Sequence, residues 1–450
     1  MSILSSSSTE IYDFILFNSK DLLLTLLILF GLSVLPVPRK KYLTESFLLI
    51  GFIYLSLPVI LFANSNWEVP GKFIQSGLAK GRSESEIKVS YCLKKVASRF
   101  PPLKTLRGIA DTIDFIKIRD EGTSSTWSSV ETEINAPNLL IIGLGESLRA
   151  DHLGIYGYKR NTTPLLSAIK DNGNLYVYNH VYSGGTNTWT SVPAMFTKFD
   201  FRPELSKSII NLANDAGYET YWLSNQTKLN KWDFSVSSIA LQAKHTFFSA
   251  NEDTHEIQYD DVLLPELLNI LKNRKPGEKS LIILHFYGSH MDFKDRYPAE
   301  FSKYKERAGV LEKEIDQYDN SVLYTDYILA SILKISEKYK GRFIYFSDHG
   351  LGRAHGEIPL KHDVRKNPSI DSINVPLISN YDLNLNPNHP INLFYFECIF
   401  SEWAGITTKE LSIDYCNNSQ NNNEVIFYDA HLNLQRIPTN IDTASHSEKK

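Results

Sequence analysis

The chain has 450 residues, 42% of them apolar and 22% charged, with a formal net charge of −4. That length holds one large folded domain plus attachments. The mild negative charge excludes a broad basic field for nucleic acid, and three cysteines exclude a disulfide-built scaffold.

The first 65 residues carry the densest apolar content. Leu22 to Val37 and Phe47 to Ala63 are uncharged apolar runs. Each is slightly shorter than the ~20 residues that span a bilayer, but flanks such as Phe14 to Phe17 and Tyr42 extend them. Arg39-Lys40-Lys41 lies between them and marks the cytoplasmic side of a short loop. The expectation is a membrane hairpin of two transmembrane helices over residues 1–65. The N-terminus and everything after Ala63 then lie across the membrane, with Trp67 as an interfacial anchor. A cleaved signal peptide fits less well, because a basic N-terminal region is missing and a second apolar run follows.

Residues 66–132 read as a bridging segment. Ser83 to Arg99 and Leu103 to Ile118 have helical apolar faces, and Asp120 to Ser129 reads as a linker. From Asn138 the pattern changes to short apolar strands alternating with helices. Leu139 to Leu144 is a continuous apolar run, as expected for a strand buried on both faces, and Ser280 to Phe286 and Arg342 to Phe346 read as two more buried strands. Leu175 to Tyr178, Thr220 to Leu223 and Asn374 to Ser379 add shorter strands. Ser208 to Ala216, Asp260 to Lys272 and Ile315 to Lys338 have helical spacing. Val192 to Phe199 reads as a helix with Pro193 near its start. This alternation predicts an α/β domain over residues 133–437, with a mostly parallel sheet covered by helices on both faces. Asn417 to Asn423 reads as a solvated loop, and residues 438–450 as a disordered tail. In an oxidising compartment Cys398 and Cys416 could bridge a short loop, although spacing alone does not prove the pairing. Neither a P-loop nor a dinucleotide fingerprint is present.

Ligands gather beyond the carboxyl ends of such strands. Glu146, Ser147, Arg149, Asp151 and His152 follow the first buried strand. Gly288, Ser289 and His290 follow the second, and Ser347, Asp348, His349 and Gly350 the third. A fourth strand leads into Ser183-Gly184-Gly185-Thr186-Asn187-Thr188-Trp189-Thr190-Ser191. There hydroxyls crowd a helix start, where each is either a cap or a nucleophile beside a phosphate-binding helix end. One Glu, one Asp, one His and one hydroxyl oxygen suit a four-ligand zinc site. A dication there favours the alkoxide of a threonine and polarises a phosphoryl oxygen.

Several blocks together resemble the lipid A and lipooligosaccharide phosphoethanolamine transferases, membrane-anchored members of the alkaline phosphatase and sulfatase superfamily. They are Gly145 to His152, Gly157 to Pro164, Gly185 to Thr188 with Ser191-Val192-Pro193, Gly288-Ser289-His290 with Arg296-Tyr297-Pro298, Tyr318 to Tyr327, and Ser347 to Gly350. They occur in the family's order over roughly residues 138 to 380. The resemblance implies an alkaline-phosphatase-like α/β/α sandwich behind an inner-membrane anchor, with the catalytic domain in the periplasm. It implies Thr188 as nucleophile, and Glu146, Thr188, Asp348 and His349 as ligands of one Zn2+, with room for a second ion during turnover. It implies His290 and His362 as histidines on the substrate phosphate, with His355 a competitor for the second role. Asn225 and Lys228 fall near the family's contacts to the donor head group. The implied reaction moves phosphoethanolamine from phosphatidylethanolamine through a covalent threonine adduct to lipopolysaccharide or another surface glycan.

Two departures stand out. Gly184 and Ala194 occupy places where the family usually has cysteines, and two membrane runs replace the usual five. Three alternatives stay open. A phosphoglycerol transferase or a phosphodiesterase of the superfamily shares the metal chemistry. A non-catalytic glycolipid-binding homologue would be expected to have lost a ligand or the nucleophile. A sulfatase needs Arg where Met195 closes the Ser191-x-Pro193 signature.

Overall fold

The computed structural model describes residues 124–199, 203–228, 234–249, 258–305, 307–354, 358–365, 367–387, 389–420 and 423–438. The expected membrane hairpin, the two helices over 83–118 and most of the tail lie outside them. No helix among the described residues is long and apolar enough to cross a membrane.

Seven strands make the central sheet: β1 (Leu139–Gly145), β2 (Tyr176–Tyr178), β3 (Glu219–Ser224), β4 (His245–Phe248), β5 (Ser280–His285), β6 (Arg342–Ser347) and β7 (Leu377–Ser379). Their order is β2-β7-β6-β1-β5-β3-β4. β1, β3, β4, β5 and β6 run parallel to one another, while β7 pairs antiparallel with both β6 and β2. Successive side chains of a strand point to opposite faces, and β1 shows it. Leu140, Ile142 and Leu144 join one apolar cluster, and Leu139 and Ile141 join the other.

The first cluster is closed by helices α2 (Thr188–Phe196), α3 (Ile209–Asp215), α4 (Phe234–Ala240) and α7 (Phe396–Ala404). The second is closed by α1 (Pro164–Asp171), α5 (Leu263–Asn273) and α6 (Val310–Lys338). On α5 the buried residues are Leu263, Leu267 and Leu271, one stripe at a spacing of four. The result is the three-layer α/β/α sandwich expected from the sequence.

Several local expectations change. Residues 124–132 belong to the domain and are no free linker. Trp127 is buried and its indole N–H donates to the Ser208 carbonyl at 2.8 Å, while Glu131 and Thr132 pair with Thr407 and Ile406. Helix α2 starts at Thr188, five residues before Pro193, so the proline lies inside it. Asn417 to Gln420 close a short helix, α8 (Ile413–Gln420). The Ser412 hydroxyl accepts from the Tyr415 amide at its start, and a Cys398–Cys416 disulfide pins it to α7. A C-terminal hairpin, β8 (Glu424–Tyr428) and β9 (Leu434–Pro438), pairs antiparallel. Together with edge strand β4 it went unread in the sequence, although Val425-Ile426-Phe427 has strong strand character.

Candidate metal and nucleophile site

Parallel register brings the chemistry together. Ser347 of β6 pairs with Gly145 of β1, so Glu146 and Asp348 leave adjacent strands at one level. The Asp348 amide donates to the Gly145 carbonyl at 3.0 Å. Ser147 turns the chain at a left-handed φ of 57°. Its amide then donates to Asp348 Oδ1 at 3.0 Å, and its hydroxyl donates to Glu146 Oε1 at 2.6 Å. Gly288, after β5, has φ 50°, and a Cβ there would lie 2.8 Å from the Glu146 carbonyl oxygen. Only a glycine lets that loop press on the Glu146 backbone.

Thr188 is the first residue of α2. The cap is Asn187, whose side-chain oxygen accepts from the Thr190 amide at 3.2 Å. That leaves the Thr188 hydroxyl free of capping duty. It donates to Glu146 Oε2 at 3.0 Å and lies 3.4 Å from His349 Nε2. His349 Nε2 is also 3.2 Å from Glu146 Oε1 and 3.4 Å from Asp348 Oδ2. The four residues expected to share a metal therefore converge on one spot. All are buried.

Electrostatics mark this spot as wanting a cation. Burial and the neighbouring Glu146 charge push the Asp348 carboxyl up to about 8. Burial works to raise Glu146 too, but His349 holds it well below the usual carboxylate range. Burial alone would lower His349, yet Asp348 and Glu146 raise it to about 9. Two buried carboxyls facing one imidazole make a centre whose charge a dication would balance. Its Nδ1 faces the Gly350 carbonyl at 2.7 Å. A carbonyl only accepts, so Nδ1 carries hydrogen and Nε2 is the atom offered to the centre. Asp348 Oδ2 and His362 Nε2 are buried without a hydrogen-bond partner. Two carboxylates, the orphaned Asp348 Oδ2 among their atoms, an imidazole and a hydroxyl fit a zinc ion.

The remaining expected residues separate. His362 joins the centre: Glu146, His349 and His362 offer ligand atoms within 4.8 Å of one another. Burial lowers the His362 ring to about 4, keeping it neutral. His290 stands edge-on to His362 at 5.9 Å between ring centroids and stacks on Tyr287. Its competitor His355 lies outside the described residues. Asn225 does not reach the centre. Its amide donates to Asp260 Oδ1 at 2.9 Å and its oxygen accepts from Ser249, which spends the side chain on loop structure. Lys228 is half-buried and takes no hydrogen bond or ion pair with the four residues.

The sequence reading missed Gln226, whose side-chain N–H donates to the Phe286 carbonyl at 2.9 Å and reaches Glu146 Oε2 at 3.4 Å. Its place at the end of β3, beside Asn225, was the available signal. Helix α6 was matched in the resemblance without a role. It tethers the strand-end loops: the Tyr318 hydroxyl donates to the Ser147 carbonyl and accepts from the Arg149 amide. Asp319 holds His152, Tyr158 and Arg160, and Ser321 donates to Ser289.

The family model described as Sulfatase matches residues 137–387, more than half of the chain. The phosphoethanolamine transferase EptC of Escherichia coli K12 is 31% identical over 232 residues, covering 48% of this chain and 40% of EptC. The phosphoethanolamine transferase OpgE of the same strain is 27% identical over 303 residues, covering 65% of this chain and 55% of OpgE. The chain thus spans about half the length of the curated relatives it matches. The crystal structure of the C-terminal periplasmic domain of E. coli EptC superposes with a TM-score of 0.61 at 23% identity, covering 72% of this chain and 98% of that one. The same domain in complex with Zn gives 0.58 at 24% identity, covering 64% and 88%. These likenesses show the fold, and the family match shows the lineage. The chain belongs to the Sulfatase family, among relatives that carry the name phosphoethanolamine transferase.

Proposed function

We propose that the protein is a zinc-dependent phosphoethanolamine transferase. It takes the group from phosphatidylethanolamine onto Thr188 and passes it to a lipopolysaccharide or another surface glycan. The observation that carries this is the Thr188 hydroxyl, freed by the Asn187 cap and placed 3.0 Å from Glu146 Oε2 and 3.4 Å from His349 Nε2. Glu146, Thr188, Asp348 and His349 would hold the ion. A bound zinc would acidify the Thr188 hydroxyl and offset the charge of the two acids.

Thr188 Oγ1 forms a bond to the donor phosphorus, and the bond from phosphorus to the glycerol oxygen breaks. The hydroxyl gives up its proton to water before attack, a loss that the bound ion would favour. His290, edge-on to His362 and stacked on Tyr287, is the proposed donor of a proton to the departing glycerol oxygen. His362 then orients the phosphoryl group through its unpartnered Nε2, and the start of α2 favours the negative charge. In the second step an acceptor oxygen bonds to phosphorus, the bond to Thr188 Oγ1 breaks, and Thr188 takes back a proton from the acceptor hydroxyl or from water.

The two apolar runs before residue 66 support an inner-membrane anchor. The Cys398–Cys416 disulfide supports a catalytic domain, residues 133–437 with 124–132 joined to it, in an oxidising compartment such as the periplasm. A binding-only homologue is disfavoured, because no ligand or nucleophile is lost. The test compares surface glycolipids by mass spectrometry in cells with wild-type or Thr188→Ala protein. The expected result is loss of a phosphoethanolamine mass increment with the domain still folded. An unchanged increment in the Thr188→Ala cells overturns the assignment.

A further inference from the structure

The nucleophile loop is held by a part of the chain far away in sequence. Residues 183–187 have no long strand or helix of their own. Ser183 is tied to the Ile373 carbonyl through its amide, and its hydroxyl donates to the Gly185 carbonyl. Beyond that, both sides of Gly185 are bonded to one residue of the C-terminal hairpin. The Tyr428 amide donates to the Gly184 carbonyl at 2.9 Å, and the Thr186 amide donates to the Tyr428 carbonyl at 3.1 Å. Gly185 and Tyr428 thereby form an isolated parallel bridge two residues before the cap Asn187. A Cβ on Gly185 would strike Thr190 Oγ1 and the Ser191 amide, so the loop lies tight against the start of α2.

The hairpin is itself anchored. The Asn392 side chain donates to the Glu424 carbonyl at 2.7 Å and accepts from the Ile426 amide at 3.2 Å. Ile426, Tyr428 and Phe394 bury Ala194 of α2 in one small apolar cluster. Gly184 packs on the same helix, where a Cβ would lie 2.9 Å from the Ala194 Cβ. Gly184 and Ala194 leave no disulfide between this loop and the body of the helix, so placement rests on strand pairing and packing.

We infer that the C-terminal hairpin is a positioning element for the nucleophile, with Tyr428 the residue through which it acts. Glu146, Asp348 and His349 stand on the ends of β1 and β6 and do not depend on it. Thr188 does, because its place follows from where the loop delivers Asn187. Loosening the hairpin therefore misplaces the attacking oxygen and leaves the sheet-borne ligands where they are. The inference rests on Thr188 being the nucleophile.

The experiment uses full-length, zinc-loaded protein in detergent and follows release of diacylglycerol from a fluorescent phosphatidylethanolamine. Tyr428→Pro removes the amide donor while keeping an extended backbone. Tyr428→Ala removes the ring but keeps the amide, and Tyr428→Phe keeps both. The expected result for Tyr428→Pro is a fall in kcat of about a hundredfold, the scale of an ångström-level misplacement. KM and zinc content should stay at wild-type values. Tyr428→Ala should lose less, and Tyr428→Phe should restore turnover. Wild-type kcat in Tyr428→Pro, or an equal loss of zinc and activity, overturns the inference. Hydrogen exchange on the wild type provides a second measurement independent of any variant's folding. The Thr186 and Tyr428 amides should be protected as strongly as those of β1, and rapid exchange at either overturns the brace. Full activity in Thr188→Ala would instead defeat the nucleophile assignment, while the exchange result would still decide whether the brace exists.

Discussion

Gly288→Ala is the sharpest single-atom test of how the site is built. The residue has φ 50°, and the added Cβ would meet the Glu146 carbonyl oxygen at 2.8 Å, its amide nitrogen at 3.0 Å and its Cβ at 3.2 Å. A left-handed conformation costs a residue with a side chain roughly 1–2 kcal/mol. Relieving contacts against rigid backbone adds about 1–3 kcal/mol, the usual range for overpacking. Together they give about 2–5 kcal/mol of destabilisation by denaturant titration. The same push displaces the backbone that carries Glu146, so zinc affinity should fall as well, by roughly 10–100-fold, as for a disturbed outer shell. Urea midpoints of the metal-free protein measure the first quantity, and competition with a chromogenic chelator measures the second. A variant within about 0.5 kcal/mol of wild type, the usual effect of a neutral surface change, with unchanged zinc affinity, would refute the claim that this loop sets Glu146.

Two further expectations concern stability. Asp326 on α6 accepts from the Leu165 and Leu166 amides at 2.9 Å each and so caps α1 from another helix. Asp326→Ala leaves the buried Leu166 amide and the part-buried Leu165 amide unpaired and should cost about 1–3 kcal/mol. Burial pushes the Asp326 carboxyl up to about 6, above its unfolded value of about 3.9. Its contribution is fully present below about pH 4 and is lost as pH rises through about 6. Asp326→Asn should flatten that part of the stability-versus-pH curve, and an unchanged slope would show that Asp326 does not titrate there. Replacing Cys398 and Cys416 by Ser opens a link across 18 residues and should lower stability by about 3 kcal/mol. Zinc affinity should not change, because α7 and α8 contribute none of the ligands; a lower affinity in the double variant would contradict this.

Much of the molecule was legible in the sequence by itself. Strands buried on both faces must be largely apolar, so Leu139 to Leu144, Leu281 to Leu284 and Phe343 to Phe346 announced the sheet. Polar residues just past such runs have no use in a core, so Glu146, Asp348 and His349 stood out as chemistry. Tertiary structure alone decided which hydroxyl was free. Asn187 took the cap and released Thr188, a choice among several adjacent residues each able to cap. It also decided that Asn225 is spent on Asp260 while Gln226 reaches Glu146, and that Tyr318 and Tyr428 hold loops from more than 150 residues away. Periodicity along a chain reports which face of an element is buried. It carries no record of strand register or of where one amide points, and those settle which polar groups meet.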